Sequence, residues 1–338
     1  MAASDSPPRP LEEQVARIRA AVADATGVLV CLDFDGTLAP IVEEPDDAAP
    51  TARTQNAVAT LAETTAVTTA VVSGRALSDV RERIDGPSIY AGNHGLELAR
   101  GDDDFVHPVA REEAARLDRL CAVLELALAS VPNCRIENKR LTGTVHVRTV
   151  PPAAEPVVRR VTHDVVDRFG DDALAISSGK QILEIRPDIP WGKGDAVEAI
   201  AADEPSETVV IYVGDDVTDE SAFRAVEPDG VGVRVGGAEP SNASVRIDSP
   251  AAVADFLAWI ASISDRSVTK LASRNEAPTA APPVERKSHV GIVSGSRTPS
   301  ARLPPWAEAR PTITVASATT ATARRRSIVG VFGSDTEK

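Results

Sequence analysis

Lysine is nearly missing from most of this 338-residue chain: before residue 265 it occurs only as Lys139, Lys180 and Lys193, while arginine is common. Cysteine is as sparse. Cys31, Cys121 and Cys134 are too few and too widely spaced for a disulfide framework, and no C-x-x-C pair offers a zinc site. No apolar run reaches the roughly 18 residues that a membrane-spanning helix needs. The first residues, MAASDSPPRPLEEQ, are polar and acidic where a signal peptide would be basic and then apolar. An excess of base is missing too. The 50 Asp plus Glu against 36 Lys plus Arg leave a net charge of -14, which excludes a nucleic-acid binder driven by counterion release. These absences lead us to expect a cytoplasmic protein with neither a nucleic-acid nor a membrane partner.

What is present describes a globular chain. Hydrophobic residues make up 43% and charged residues 25%, ample apolar material for a core. At about 100–200 residues per domain, the length suggests two domains. The charge is unevenly divided, with 12 basic and 6 acidic residues from Asp265 onward and 24 basic against 44 acidic before it. An acidic, lysine-poor surface reads as halophilic, an adaptation to high salt in which hydrated carboxylates keep the protein soluble. Where lysine is this scarce, each one calls for its own explanation.

The segment 265–338, with APTAAPP, SRTPSARLPP and ASATTATARRR, holds no helical or strand period for long. Such composition buries too little apolar area to offset ordering entropy, so a disordered basic tail is expected there. Ahead of it, strands and helices alternate. GVLVCLDFDG (27–36), AVTTAVVSG (66–74), SIYAG, TVVIYVGDD (208–216) and VGVRVG read as buried strands, with helices such as TQNAVATLAE, ALSDVRERI and PAAVADFLAWIAS between or after them. Near-continuous apolar strands alternating with helices predict a parallel, doubly wound α/β sheet. The middle differs: two long helical stretches each precede a pair of adjoining strand candidates. That pattern predicts an α+β module with an antiparallel sheet, inserted into the α/β domain. The expected organisation is an N-terminal segment 1–23, a core of 24–103 plus 188–264, the insert at 104–187, and the tail from 265.

In open α/β sheets, ligands gather at the carboxyl ends of strands, and here three strand ends are polar. The first ends in Asp33-Phe34-Asp35-Gly36-Thr37, the second in Ser73-Gly74-Arg75, and the last in Gly214-Asp215-Asp216-Val217-Thr218-Asp219-Glu220. Gly192-Lys193-Gly194 lies between the last two, directly before a helix. Asp33 and Asp35, two apart at a strand end, are expected to point into one cleft, with Asp215 arriving from a parallel strand. Clustered carboxylates repel unless a cation joins them, and oxygen ligands without His or Cys favour Mg²⁺. Lys193, Ser73 and loop amides supply donors for phosphoryl charge. An aspartate so placed can attack phosphorus, and a second carboxyl group nearby can act as general acid and then base. Each motif alone has a blander reading: an acidic turn, a strand end, a helix start rich in acids, a common loop. Four of them in this order are not explained that way.

Together DFDGT, SGR, GKG and GDDVTDE resemble the motifs of the haloacid-dehalogenase-like phosphohydrolases. GDDVTDE with GNHGLEL (92–98) and LEIRP (183–187) resembles the trehalose-6-phosphate phosphatase family in particular, over about 27–262. The resemblance implies a Rossmann-like core with an inserted cap, and hydrolysis of trehalose 6-phosphate to trehalose and phosphate through an aspartyl phosphate. It implies that Asp33 is nucleophile and Mg²⁺ ligand, and that Asp35 gives its backbone carbonyl to the metal and its carboxyl to acid and base chemistry. Phe34 and Gly36 would lend backbone amides to the phosphoryl group, Ser73 its hydroxyl, and Gly74 its place in the loop. Lys193 would offset charge on nucleophile and phosphate, Asp215 would complete the metal set, and Asp216 and Asp219 would orient Lys193 and metal waters. Sugar recognition would fall to Glu137, Lys139 and Glu184 of the cap with His94 and Glu97 of the core. Two alternatives stay open for those positions: a solvated edge-strand pair for Glu137 and Lys139, and a structural role for His94. Functional coupling to a trehalose-6-phosphate synthase is implied as well, and a compatible-solute product agrees with the acidic composition. Two rival readings share the chemistry: a phosphatase of sucrose phosphate or of a glucosyl- or mannosyl-glycerate phosphate, and a sugar phosphomutase.

Overall fold

The computed structural model describes residues 6–179 and 181–275, so Lys180 and the expected tail beyond Asn275 lie outside the described residues. The chain enters through a two-residue strand, β1 (Arg9–Pro10), and a helix, α1 (Leu11–Asp24), that buries Ile18 and Val22. Next come β2 (Gly27–Leu32), α2 (Ala52–Ala62), β3 (Val67–Val72), α3 (Leu77–Arg83) and β4 (Ile89–Gly92). A hairpin of β5 (Glu97–Arg100) and β6 (Asp103–Val106) follows. The middle comprises α4 (Pro108–Leu128), β7 (Arg135–Asn138), β8 (Gly143–His146), α5 (Glu155–Phe169), β9 (Leu174–Gly179) and β10 (Ile182–Pro187). The chain then runs through α6 (Lys193–Ala201), β11 (Thr208–Gly214), α7 (Glu220–Val226), β12 (Val231–Val235), β13 (Val245–Ile247) and α8 (Pro250–Asn275).

Local signals explain where these elements begin. Thr51 caps α2, its Oγ1 accepting the Thr54 N–H at 3.2 Å and satisfying one orphan donor of the first turn. Pro108 opens α4, where a missing N–H costs nothing. Among the described residues the strands form two sheets, one of nine strands in the order β1-β13-β12-β11-β2-β3-β4-β5-β6 and one of four in the order β7-β8-β10-β9. From β1 to β4 the larger sheet is parallel, and only the β5–β6 hairpin at its edge is antiparallel. The fold is the doubly wound α/β class expected.

The pleat of β2 shows why its sequence is apolar throughout. Val28, Val30 and Leu32 pack on one face with α1, α2 and α8, while Leu29 and Cys31 pack on the other with α6 and α7. Burial of each Leu or Val contributes roughly 1.5–3 kcal/mol. An exposed ion pair such as Arg53–Asp255 adds only about 0–1 kcal/mol, so the sandwich of helices on the sheet decides the fold. In the four-stranded layer the sheet is antiparallel. Leu117, Leu120 and Leu124 of α4 and Val158 of α5 cover Val145, Leu183 and Ile185 of its strands. Leu96, Ala110 and Leu141 form a separate small buried cluster that draws on both parts of the chain.

Two boundaries differ from expectation. The sequence pattern starts the insert at 104, yet Asp103–Val106 pairs with Glu97–Arg100 in the larger sheet, so the four-stranded layer begins at α4. The hairpin stays hidden in sequence because its second strand, DDFV, is short and half charged. Composition starts the tail at 265, yet α8 runs to Asn275. No helix among the described residues is long and apolar enough to cross a membrane.

Candidate active site

The site follows from strand order. β2 and β11 are parallel neighbours, with Leu32 opposite Val213, and β2 is flanked on its other side by β3. Their carboxyl ends therefore open together at the point where the winding reverses, the crevice in which such sheets bind ligands. Asp33 leaves β2 with its N–H donating to the Val213 carbonyl at 2.9 Å, which sets it beside the loop that carries Asp215.

Lys193 enters this crevice from the first residue of α6. Its ammonium donates to Asp33 Oδ1 and Asp219 Oδ1, each at 2.7 Å, and is 3% exposed. Asp219 is further held by the Tyr212 hydroxyl at 2.6 Å and by the N–H groups of Asp215 and Asp216 at 3.0 and 2.8 Å. Asp33, Asp215 and Asp219 bring carboxylate oxygens within 4.8 Å of one another. One ammonium therefore faces three carboxylates. Burial, the largest effect, and the charges of Asp219 and Asp215 push the Asp33 carboxyl well above its usual range, against Lys193. Burial disfavours the Lys193 charge, but Asp219 and Asp33 outweigh it and hold the ammonium firmly protonated. The ligand atoms that the cluster offers are all hard oxygens, which fits Mg²⁺, the cation that such oxygens favour. The fit is tight: a Cβ on Gly36 would sit 2.4 Å from the Asp215 carboxyl, and Gly36 has a φ of +82°, so only glycine lets the two loops approach so closely. Asp219 spends its oxygens on four donors.

Asp35 does not share these partners. Its carboxylate takes a two-pronged bond from Arg75, Nε to Oδ2 and Nη2 to Oδ1, each at 2.7 Å. The expectation that residues two apart point alike holds inside a strand, but β2 ends at Leu32 and Gly36 turns the chain left-handed. Asp33 and Asp35 thus meet different cations at one crevice. Phe34 is fully buried, and its carbonyl accepts from the N–H groups of Leu38 and Ala39. The Gly36 N–H, expected to cradle a phosphoryl group, donates instead to the Ala39 carbonyl at 2.8 Å. Its role is the turn. Ser73 is buried and its Oγ accepts the Arg75 N–H at 3.1 Å. A Cβ on Gly74 would lie 2.7 Å from the His94 ring, so this glycine is a point of close packing.

The four-stranded layer meets the larger sheet here. Lys139 Nζ donates to the Gly74 carbonyl at 3.0 Å, and His94 Nε2 bonds Glu184 Oε1 at 2.9 Å. His94 itself sits at φ 57°, ψ 31° in the turn after β4. Glu137 pairs with His146 Nε2 at 2.8 Å. Glu97 is buried and already accepts from the Leu77 N–H, Asn93 Nδ2 and Arg140 Nη2, each at 2.7 Å, so it braces the loop that carries His94. Burial works to raise the Glu184 carboxyl, but the His94 charge and hydrogen bond, with Lys139 and Arg186 behind them, bring it down to about 2.

A depressed carboxyl stabilises the fold above its unfolded value and loses that contribution as pH falls toward the folded value. Glu184→Gln is therefore expected to destabilise the protein by on the order of 2–3 kcal/mol at pH 7. The gap should narrow steadily in denaturant unfolding from pH 5 to pH 3. A gap of constant size would show that the ionised form contributes nothing.

Two side chains that hold the acids of the crevice carry little signal in the sequence. Arg75 was visible in the SGR motif but had no assigned partner. Tyr212 is one of two tyrosines, and a hydroxyl inside the apolar strand TVVIYVG was the signal.

A parallel sheet whose first long strand delivers an Asp-x-Asp-Gly-Thr loop, met by a lysine and an acidic loop from later elements and interrupted by a second layer, defines a haloacid-dehalogenase-like protein. The family model for trehalose-phosphatase matches residues 31–251, and the chain belongs to that family. It is similar to the trehalose-phosphate phosphatase of Mycobacterium marinum, 38% identical over 243 residues that cover 69% of this chain and 61% of the relative. A Mycobacterium tuberculosis protein named only as an uncharacterized glycosyl hydrolase is 39% identical over 246 residues, 69% of this chain and 18% of its own length. The chain thus spans at most about three-fifths of these relatives. Among solved structures, a trehalose-6-phosphate phosphatase related protein aligns with a TM-score of 0.63 at 24% identity over 72% of this chain and 99% of its own. The Candida albicans trehalose-6-phosphate phosphatase C-terminal domain aligns with a TM-score of 0.64 at 19% identity over 77% and 99%. At such identities these two likenesses speak for the fold alone.

Proposed function

We propose that this chain hydrolyses trehalose 6-phosphate to trehalose and inorganic phosphate, with Mg²⁺ and through an aspartyl phosphate on Asp33. The observation that carries the reading is the pair of acids on one loop with separate cations: Asp33 buried against Lys193, and Asp35, whose side chain is 45% exposed, against Arg75. Lys193 occupies Oδ1 of Asp33 and so directs Oδ2 toward the phosphorus. As the Asp33–phosphorus bond forms, the bond from phosphorus to the sugar oxygen breaks, and that oxygen takes a proton from Asp35. Asp35 then accepts a proton from water as it attacks phosphorus, and the Asp33–phosphorus bond breaks to release phosphate. Asp33, Asp215 and the Asp35 carbonyl would hold Mg²⁺, which when bound screens phosphoryl charge and repulsion among the carboxylates. Ser73 and Lys193 would steady the remaining phosphoryl oxygens.

The four-stranded layer acts as the cap. Its Glu137, Lys139 and Glu184, with His94 opposite, offer carboxylate, ammonium and imidazole groups to sugar hydroxyls, and such aimed polar groups reject analogues that lack a hydroxyl. A trehalose-6-phosphate synthase would supply the substrate. A compatible solute as product agrees with the acidic, lysine-poor composition.

A panel of sugar phosphates, assayed for phosphate release with and without Mg²⁺, tests the reading. Trehalose 6-phosphate should be turned over fastest, and chelation by EDTA should stop the reaction until Mg²⁺ is restored. Equal turnover of sucrose phosphate or glucosylglycerate phosphate would overturn the substrate, and an isomerised sugar phosphate without free phosphate would overturn hydrolysis.

A further inference from the structure

Arg75 is buried, with its side chain 10% exposed, and it is committed in every direction. Besides the two bonds to Asp35, Nη1 donates to Asp79 Oδ2 and Nη2 to the Pro45 carbonyl, each at 2.7 Å. Its guanidinium lies 5.2 Å from the centre of the Phe34 ring. Arg83 repeats the pattern, donating to Asp79 Oδ1 at 2.7 Å and to the carbonyls of Asp46 and Ala48 at 2.9 and 2.7 Å. Residues 45–48 are thereby tied to the same two arginines that share Asp79. The four-stranded layer grips this stretch from the other side: Arg135 donates to Asp46 Oδ2 and Arg148 to the Val42 carbonyl, both at 2.9 Å.

We propose that Arg75 is a positioning residue for the reaction: its planar fork sets the carboxylate of Asp35 toward the leaving oxygen, and residues 42–48 link that fork to the docked four-stranded layer. The proposal rests on the hydrolase reading above. Three features favour it over a plain structural pillar or a phosphate ligand. An aspartate side chain this exposed has wide rotamer freedom, and two parallel bonds from a rigid guanidinium remove it. The guanidinium spends its donors on two carboxylates and a carbonyl, which leaves it poorly placed to take a phosphate. Exposed pairs such as Arg135–Asp46 add little to stability, so their value here lies in where they hold the chain.

The test separates proton delivery from everything else. Trehalose 6-phosphate needs a proton on its leaving oxygen; p-nitrophenyl phosphate does not. Arg75→Lys and Arg75→Ala, checked for folding by circular dichroism, are expected to lower kcat on trehalose 6-phosphate about 10²-fold with KM nearly unchanged. The single-turnover burst of p-nitrophenol should keep its wild-type rate. In a double-mutant cycle, Arg75→Ala should cost nothing further once Asp35 is Asn. Asp46→Ala should lower kcat for the sugar phosphate several-fold and leave the burst alone. Equal loss on both substrates, a raised inhibition constant for inorganic phosphate or a raised KM for its esters, or additivity with Asp35→Asn would overturn the proposal. If wild-type protein ignores every sugar phosphate, the substrate reading falls separately. Release of phosphate after the p-nitrophenol burst still reports the water-activating step at Asp35, and equal rates for wild type and Arg75→Ala in that step would overturn the positioning role.

Discussion

Asp33→Asn is expected to abolish phosphate release, by about 10⁴-fold or more, while the protein melts at an unchanged or higher temperature. The amide keeps the shape of the side chain and an oxygen to accept from Lys193, now 2.7 Å away, but loses the anionic oxygen that the proposed mechanism directs at phosphorus. Stability should not suffer, because the native carboxylate is costly where it stands. It is 4% exposed and lies in a cluster with Asp215 and Asp219, and burial with those neighbouring charges drives its carboxyl upward. Removing one of three crowded negative charges relieves the repulsion, the usual opposition between stability and activity at a strained site. Rapid-quench assays with trehalose 6-phosphate, paired with calorimetry, measure both halves. Substantial turnover in this variant would remove the aspartyl phosphate from the mechanism, and a large drop in melting temperature would show that the cluster is a structural device.

Lys193→Ala should lose both activity and stability. The ammonium bridges Asp33 and Asp219, whose side chains are 6% and 0% exposed. Deleting it strands two buried carboxylates, and breaking a buried pair in this way typically costs about 3–5 kcal/mol. For a domain of this size that corresponds to a fall in melting temperature of about 10 °C. Lys193→Arg should rescue little, since a planar fork does not fit the point between two carboxylates that a compact ammonium fills. Asp219→Asn should offset part of the stability loss of Lys193→Ala in the double variant, because one stranded charge is gone. A Lys193→Ala protein that melts like the wild type would mean that the two bonds carry no net stabilisation. Addition of Mg²⁺ is expected to recover part of the lost melting temperature, through binding to the native state alone.

Much of this was legible along the chain because the relevant periodicities are local. The run GVLVCL reads as a strand buried on both faces, and it is one, with Leu29 and Val30 turned to opposite helical layers. The spacing of DFDGT, SGR, GKG and GDDVTDE marked the strand ends and the α6 start that supply Asp33, Arg75, Lys193 and Asp219 to the crevice. Lysine scarcity pointed the same way: Lys193 bridges two acids and Lys139 reaches across to the Gly74 carbonyl. Other features had no such signature. The β5–β6 hairpin is short and charged, so neither strand shows alternation that survives inspection. Glu97 looked like a sugar ligand because an acid beside a turn is ambiguous by type. Three donors from α3, the β4–β5 turn and Arg140 make it a brace. Gly36 looked like an amide donor, yet its N–H closes its own loop.

Residue types and their order were enough to determine the doubly wound sheet, the inserted antiparallel layer and the set of acids and lysine that meet at the crevice. Which cation answers which acid was decided only in three dimensions. Asp33 meets Lys193 across 160 positions and Asp35 meets Arg75 across 40, while His94 meets Glu184 across 90. A hydrogen bond of under 3 Å depends on where the chain turns after the strand has ended. That turn is set by the left-handed Gly36 and by packing against loops from distant strands, which no pattern along the sequence encodes.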